Sequence, residues 1–260
     1  MQCLPEVDSS RARGGYDARL FDQLASVEDR SFWVRARNRL IVQTVSRLAR
    51  PGERFLEVGC GTGYVLRALA EECGLRVTGS ELFGEGLEHA RRRVPDAELV
   101  ELDAREMPYE EEFDLAGAFD VLEHVDDDLG ALRGLHRALR PAGFLVLTVP
   151  QHPWLWSEAD EHAYHVRRYR RPELVERVSA AGFEVARVTS FVMSLLPAMA
   201  ASRWCRRRSR RPYDATAELV PPQPLNSLLE RLLRLECAAI GRGVNLPAGG
   251  SLVLVARRGA

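Results

Sequence analysis

The stretch Phe55-Leu56-Glu57-Val58-Gly59-Cys60-Gly61-Thr62-Gly63-Tyr64 joins a short β-rich run to a helix-like run through three glycines at alternate positions. Glycine at a strand-to-helix turn lets the backbone take tight conformations and approach a ligand closely, at the carboxyl edge of the sheet where α/β folds bind ligands. A dinucleotide fingerprint asks for glycine at the first, third and sixth positions of such a turn, and the sixth here is Tyr64. Glu57, at the mouth of the turn, would repel a pyrophosphate and suits a cationic ligand.

Outward from this turn, short β-rich runs alternate with helix-length amphipathic runs, the rhythm of a doubly wound α/β sheet. Strands are expected at 55–58, 76–79, 98–102, 113–119, 144–149, 183–189 and 251–256. Asp126, Asp127 and Asp128 open a helix expected over 126–140, where acids meet the positive end of the helix dipole. Leu129, Leu132, Leu135 and Leu139 form its apolar stripe, and Pro141 and Gly143 stop it. A further helix is expected over 173–181. Three segments stand outside the repeat: a helical leader over 17–49, an aromatic and His-rich insertion over 151–171, and an apolar, then Arg-rich, then Leu-rich segment over 191–247.

Two more acids fall at successive strand ends. Glu81 closes the second strand, where an acidic side chain accepts ribose hydroxyls, and Asp103 closes the third. With the glycine turn they line one edge of the sheet.

Composition narrows the chemistry. The 260 residues are 46% hydrophobic and 28% charged, enough apolar material for a real core. A formal net charge of -1 offers no global field for a polyanion, so no nucleic-acid partner is expected. All 36 basic residues are Arg; without a lysine amine, Schiff-base chemistry and the phosphate-binding P-loop are excluded. Cys3, Cys60, Cys73, Cys205 and Cys237 lack zinc or redox spacing, which suits a reduced, cytoplasmic protein. The bias toward Arg, Ala, Leu and Gly is that of a GC-rich bacterial genome. Residues 1–13 hold no apolar signal-peptide core. The apolar run over 191–201, interrupted by Pro197, is about half of the roughly 20 residues a membrane-spanning helix needs.

The motifs in their order resemble a class I S-adenosylmethionine-dependent methyltransferase of the small-molecule type, similar to methyltransferase-11/12 and ubiquinone-biosynthesis enzymes. The turn Glu57-Val58-Gly59-Cys60-Gly61-Thr62-Gly63, Ser80-Glu81-Leu82, Leu102-Asp103-Ala104, Phe119-Asp120-Val121-Leu122-Glu123-His124-Val125 and Leu139-Arg140-Pro141-Ala142-Gly143-Phe144 carry it. The leader Phe32-Trp33-Val34-Arg35-Ala36-Arg37-Asn38 resembles segments that cap the cofactor site. The resemblance implies a Rossmann-like, doubly wound seven-stranded sheet with its last strand antiparallel. It implies one domain over 1–260: a leader at 1–50, a cofactor-binding core at 51–190, an insertion or lid at 191–250 and the last strand within 251–260. It also implies S-adenosylmethionine held by Glu57, Gly59, Gly61, Gly63, Glu81, Leu82, Asp103, Ala104, Phe119, Trp33 and Arg37.

For the reaction, alignment of acceptor, methyl and sulfur supplies much of the acceleration, and a base is needed only for a weakly acidic acceptor. His124 is the candidate base, with Glu123 beside it. His152, Trp154, His165 and Tyr169 of the insertion are the candidate contacts to a small-molecule substrate. His162 and His165, with Glu161 or His152, share no zinc-type spacing, and no metal is expected. The acceptor is expected to be small and hydrophobic, with oxygen favoured over nitrogen or carbon. Phe191, Met193, Leu195 and Met199 are expected to cover it, and the Leu-rich helix to wall it. The arginines between Arg203 and Arg211 are expected to add a peripheral contact to anionic membranes. A non-catalytic S-adenosylmethionine-binding regulatory protein or pseudoenzyme is the alternative that the same motifs support. The acceptor, the pathway and the oligomeric state are not specified by these motifs.

Overall fold

Among the residues described by the computed structural model, 20–206 and 215–259, seven strands form one sheet. They are β1 (Arg54–Val58), β2 (Arg76–Glu81), β3 (Glu98–Glu101), β4 (Phe113–Phe119), β5 (Leu139–Pro150), β6 (Phe183–Phe191) and β7 (Ser251–Arg258), in the order β3-β2-β1-β4-β5-β7-β6. The first five pair in parallel, and β7 runs antiparallel between β5 and β6. This is the expected Rossmann-like doubly wound arrangement. Central strands covered on both faces need unbroken apolar runs, and β1, β4 and β5 supply them: Phe55, Leu56, Val58, Leu115, Ala116, Leu145, Val146 and Leu147 are all buried.

The helices are α1 (Leu20–Val27), α2 (Phe32–Val45), α3 (Tyr64–Cys73), α4 (Gly84–Arg93), α5 (Asp128–Ala138), α6 (Glu158–His162), α7 (Arg171–Ala180), α8 (Leu196–Arg206), α9 (Ala215–Leu219) and α10 (Gln223–Gly241). Element ends differ from the sequence expectation where side chains intervene. β2 runs on to Glu81, and α5 starts at Asp128 because the Asp127 carboxylate caps it, accepting the Gly130 N–H at 2.9 Å. That helix stops at Ala138, since Leu139 already pairs with Phe113 at the start of β5.

Three buried clusters fill the molecule. One packs α5 and α7 on one side of the sheet, a second packs α3 and α4 with the end of α2, and a third joins α2 to α10 and the end of β6. The third takes in the segment expected to cover the acceptor. Phe191, Val192 and Leu195 are buried with Leu233, Cys237 and Ile240 of α10 against Ala36 and Leu40 of α2, so this segment buttresses the leader from behind. Leu225, Leu228 and Leu235 face solvent instead. The leader itself breaks between α1 and α2, and Asn226 of α10 spans the break. Its Oδ1 accepts the Phe32 N–H at 3.1 Å and its Nδ2 donates to the Arg30 carbonyl at 2.8 Å. Among the described residues no helix is long and apolar enough to cross a membrane.

Candidate active site

A cavity of about 340 Å³ opens at the carboxyl ends of β1, β2 and β4, under the leader helices. Strand order reverses between β1 and β4, and such a reversal leaves a crevice in doubly wound sheets. Glu57, Gly59, Gly61, Glu81, Leu82, Asp103, Ala104, Phe119, Trp33 and Arg37 all line it. Gly63 does not: it caps the start of α3 at φ +77°, and a Cβ there would stand 3.0 Å from the Ala90 Cα. The other two glycines divide the labour. A Cβ on Gly59 (φ +67°) would overlap Val121 at 2.5 Å, whereas one on Gly61 (φ +52°) would meet only Phe21 at 3.9 Å. The turn therefore packs through Gly59 and Gly63 and presents bare backbone to the cavity at Gly61.

Each acid is held differently. Glu81 knots the end of β2 to the glycine turn: Oε2 accepts the Gly61 N–H at 3.0 Å, and Oε1 accepts those of Leu82 and Phe83 at 2.8 and 3.3 Å. Burial raises its pKa and these backbone donors partly offset the rise. Glu57 is buried with Oε2 lacking a hydrogen-bond partner. Burial pushes it well above the usual carboxylate range, and the Arg37 charge opposes that only in part, because Arg37 pairs with Asp120 at 2.5 Å and donates to the Phe119 carbonyl at 2.7 Å. Asp103 sits at the rim, its pKa lowered chiefly by hydrogen bonds from Arg105.

The leader roofs the cavity, and α1 adds residues that lie outside the leader motif. Phe21 and Leu24 of α1 line the cavity, and Glu28 fastens them down. Buried Glu28 accepts from the Thr62 hydroxyl at 2.6 Å and from Arg93 at 2.7 Å. The one local hint of this role is a string of acids, Glu28 and Asp29, interrupting an apolar helical pattern.

Of the proposed reaction residues, His124 borders the cavity. Burial, with the nearby His165 adding to it, lowers its pKa to about 3 and keeps the ring neutral. Glu123 lies outside the lining and is fully buried. None of the expected substrate contacts His152, Trp154, His165 and Tyr169 lines this cavity, where the insertion is represented by Ala163. Tyr169 is fully buried, its hydroxyl drawn to the Asp128 carboxylate (2.9 Å) and the Leu122 carbonyl (3.2 Å). Trp154 is 53% exposed and stacks loosely on His152. His165 is turned to Asp160 at 2.9 Å. The expected membrane patch also loses its described members: Arg203 is buried and paired with Glu218, and Arg206 pairs with Glu158, each at 2.7 Å. Arg207, Arg208, Arg210 and Arg211 lie outside the described residues, as does Cys3.

The strand order and the cavity at its reversal are those of a doubly wound, ligand-binding α/β fold, and comparison with known proteins gives the family its name. Residues 33–188 match the methyltransferase domain family, and the chain belongs to that family. Its members are enzymes that draw the methyl group from S-adenosylmethionine. A Mycolicibacterium smegmatis protein designated a probable S-adenosylmethionine-dependent methyltransferase is 27% identical over 165 residues, 62% of this chain and 63% of that one. The ubiquinone biosynthesis O-methyltransferase of Xanthomonas campestris is 34% identical over 110 residues, 40% of this chain and 45% of that one. The chain thus spans less than two thirds of the length of either relative. In fold, a Haloferax volcanii methyltransferase solved with the Trm112 activator superposes with a TM-score of 0.65 at 20% identity, covering 95% of this chain and 97% of that one.

The residues present fit the family cofactor. An unpartnered buried carboxylate oxygen, a bare backbone at Gly61 and a strand-end acid at Glu81 meet around one cavity, matching a ligand that carries cationic groups and a ribose.

Proposed function

We propose that this chain transfers a methyl group from S-adenosylmethionine to the oxygen of a small, hydrophobic organic acceptor. The observation that carries the reading is the convergence of the glycine turn, Glu57 and Glu81 on a single cavity at the strand-order reversal. Glu57 would face the cationic end of the cofactor, Glu81 the ribose through its remaining lone pairs, and Asp103 with Ala104 the base. When bound, the cofactor supplies a sulfonium-activated methyl group. The chain's own contribution is alignment and exclusion of water: Phe21, Leu24, Trp33, Val121 and Val125 give the cavity apolar walls suited to a hydrophobic acceptor. A neutral His124 whose proton affinity is so depressed is a poor proton sink for a weakly acidic hydroxyl, so the reading does not rest on His124 as a general base. Oxygen is favoured because relatives such as the X. campestris enzyme are named O-methyltransferases.

Calorimetry with S-adenosylhomocysteine and with NADH tests the cofactor. Binding of the first alone is expected; NADH binding without S-adenosylhomocysteine binding would overturn it. Product mass after incubation with S-adenosylmethionine and a panel of phenols, amines and carbon acids tests the chemistry, with a gain of one methyl on a phenol expected. Cofactor binding with no methylated product from any class would favour the non-catalytic alternative.

A further inference from the structure

Behind His124, Glu123 is 0% exposed, and neither of its carboxylate oxygens has a hydrogen-bond partner. An unpaired polar group so deeply buried is expensive to keep and calls for a ligand. Its neighbours do not meet the need. Arg37 is committed to Asp120 at 2.5 Å and Arg168 to Asp160 at 2.6 Å, and the His165 Nε2 stands off at 3.8 Å, beyond hydrogen-bonding distance. A ring nitrogen of His124, a ring nitrogen of His165 and a Glu123 oxygen all lie within 4.8 Å of one another.

We propose that Glu123, His124 and His165 bind a divalent first-row metal ion, Zn²⁺ being the ion their two imidazoles and one carboxylate suit best. Zinc bonded at about 2.0–2.1 Å spaces tetrahedral donors about 3.3 Å apart, so side-chain rotations that close the cluster by about 1.5 Å would complete it. The surroundings of His165 are those a metal-bound imidazole needs. Asp160, fully buried and accepting from the Ser157 N–H at 2.9 Å, takes the His165 Nδ1 at 2.9 Å. With the Asp160 carboxylate accepting at Nδ1, the Nε2 of His165 keeps its lone pair toward Glu123. The Val166 N–H donates to the Glu123 carbonyl at 2.8 Å and ties the two segments side by side. Because His124 borders the cavity, the ion would stand in its wall, where its open position could take an acceptor oxygen and release the hydroxyl proton to solvent. The metal site itself depends on none of the cofactor assignments.

The full chain, stripped with a chelator, is titrated with Zn²⁺ in competition with a chromophoric chelator and separately with Co²⁺. One ion per chain is expected, with a Co²⁺ spectrum free of thiolate charge-transfer bands, which excludes the exposed Cys205. Glu123→Gln and His165→Asn are each expected to weaken binding by at least about 100-fold, and Asp160→Asn by about 10- to 100-fold. S-adenosylhomocysteine affinity, measured on each variant, is expected to match the parent and reports both folding and the cofactor site. No saturable one-to-one binding by the parent, or binding unchanged in Glu123→Gln and His165→Asn, overturns the metal site. Metal binding without S-adenosylhomocysteine binding would leave it standing and sink the cofactor reading alone.

Discussion

Glu57 shows how one side chain couples ligand, proton and stability. Its folded pKa lies above the ordinary 4.5, chiefly through burial, so folding without ligand takes up a proton wherever an unfolded glutamate would be ionised. Stability from this group is therefore present at or below the ordinary carboxylate range and falls as pH rises beyond it, by up to about 1.4 kcal/mol per pH unit until the folded pKa is passed. Glu57→Gln keeps the shape and removes the titration. In urea unfolding of the ligand-free protein, its advantage over the parent should be larger at pH 8 than at pH 5; equal advantages would mean that Glu57 is ionised in the fold. The same substitution should weaken S-adenosylmethionine binding by about 10- to 150-fold in calorimetry, the worth of one charge-assisted hydrogen bond of about 1.5–3 kcal/mol. Gly59 gives a contrasting prediction. Because its missing Cβ makes room for Val121, Gly59→Ala should lower the melting temperature even without ligand, whereas Gly61→Ala, with open space beside it, should lose less stability.

Between elements, the decisive contact is α10 on α2, since α2 carries Trp33 and Arg37 into the cavity. Leu233→Ala should cost about 2–5 kcal/mol as a buried large-to-small change, and Asn226→Ala about 1–3 kcal/mol for leaving the Phe32 N–H and Arg30 carbonyl unpaired. Both should also weaken S-adenosylhomocysteine binding although neither residue lines the cavity. Leu174→Ala, equally buried on the inner face of α7, should destabilise without that loss of affinity. If all three variants bind alike, the leader docks without help from α10. This coupling was hidden from the sequence for a physical reason: Phe191, Leu195 and Leu233 advertise apolar faces, and a face does not name the element that covers it. Tyr169 and His165 are ambiguous for a similar reason: aromatic and polar side chains in a loop suit a binding pocket and a buried hydrogen-bond network equally well.

Across the whole molecule, what could be read in advance was what is written locally. The glycine turn, the acids at strand ends and the apolar strands each declare themselves within a few residues, and the sheet brings their ends together. What is not written locally joins distant segments: Glu28 to Thr62 and Arg93, Asn226 to the leader break, Val166 to Glu123. Strand order has a further consequence, for the making of the protein. In the described sheet β6 pairs only with β7, and roughly 60 residues, about 3–12 s of synthesis at 5–20 residues per second, separate the two along the chain. Through that interval a nascent chain holds a nearly finished ligand cavity beside two unsatisfied strand edges, those of β5 and β6. Such edges recruit other strands, so mispairing is most favoured in the interval between the synthesis of β6 and that of β7.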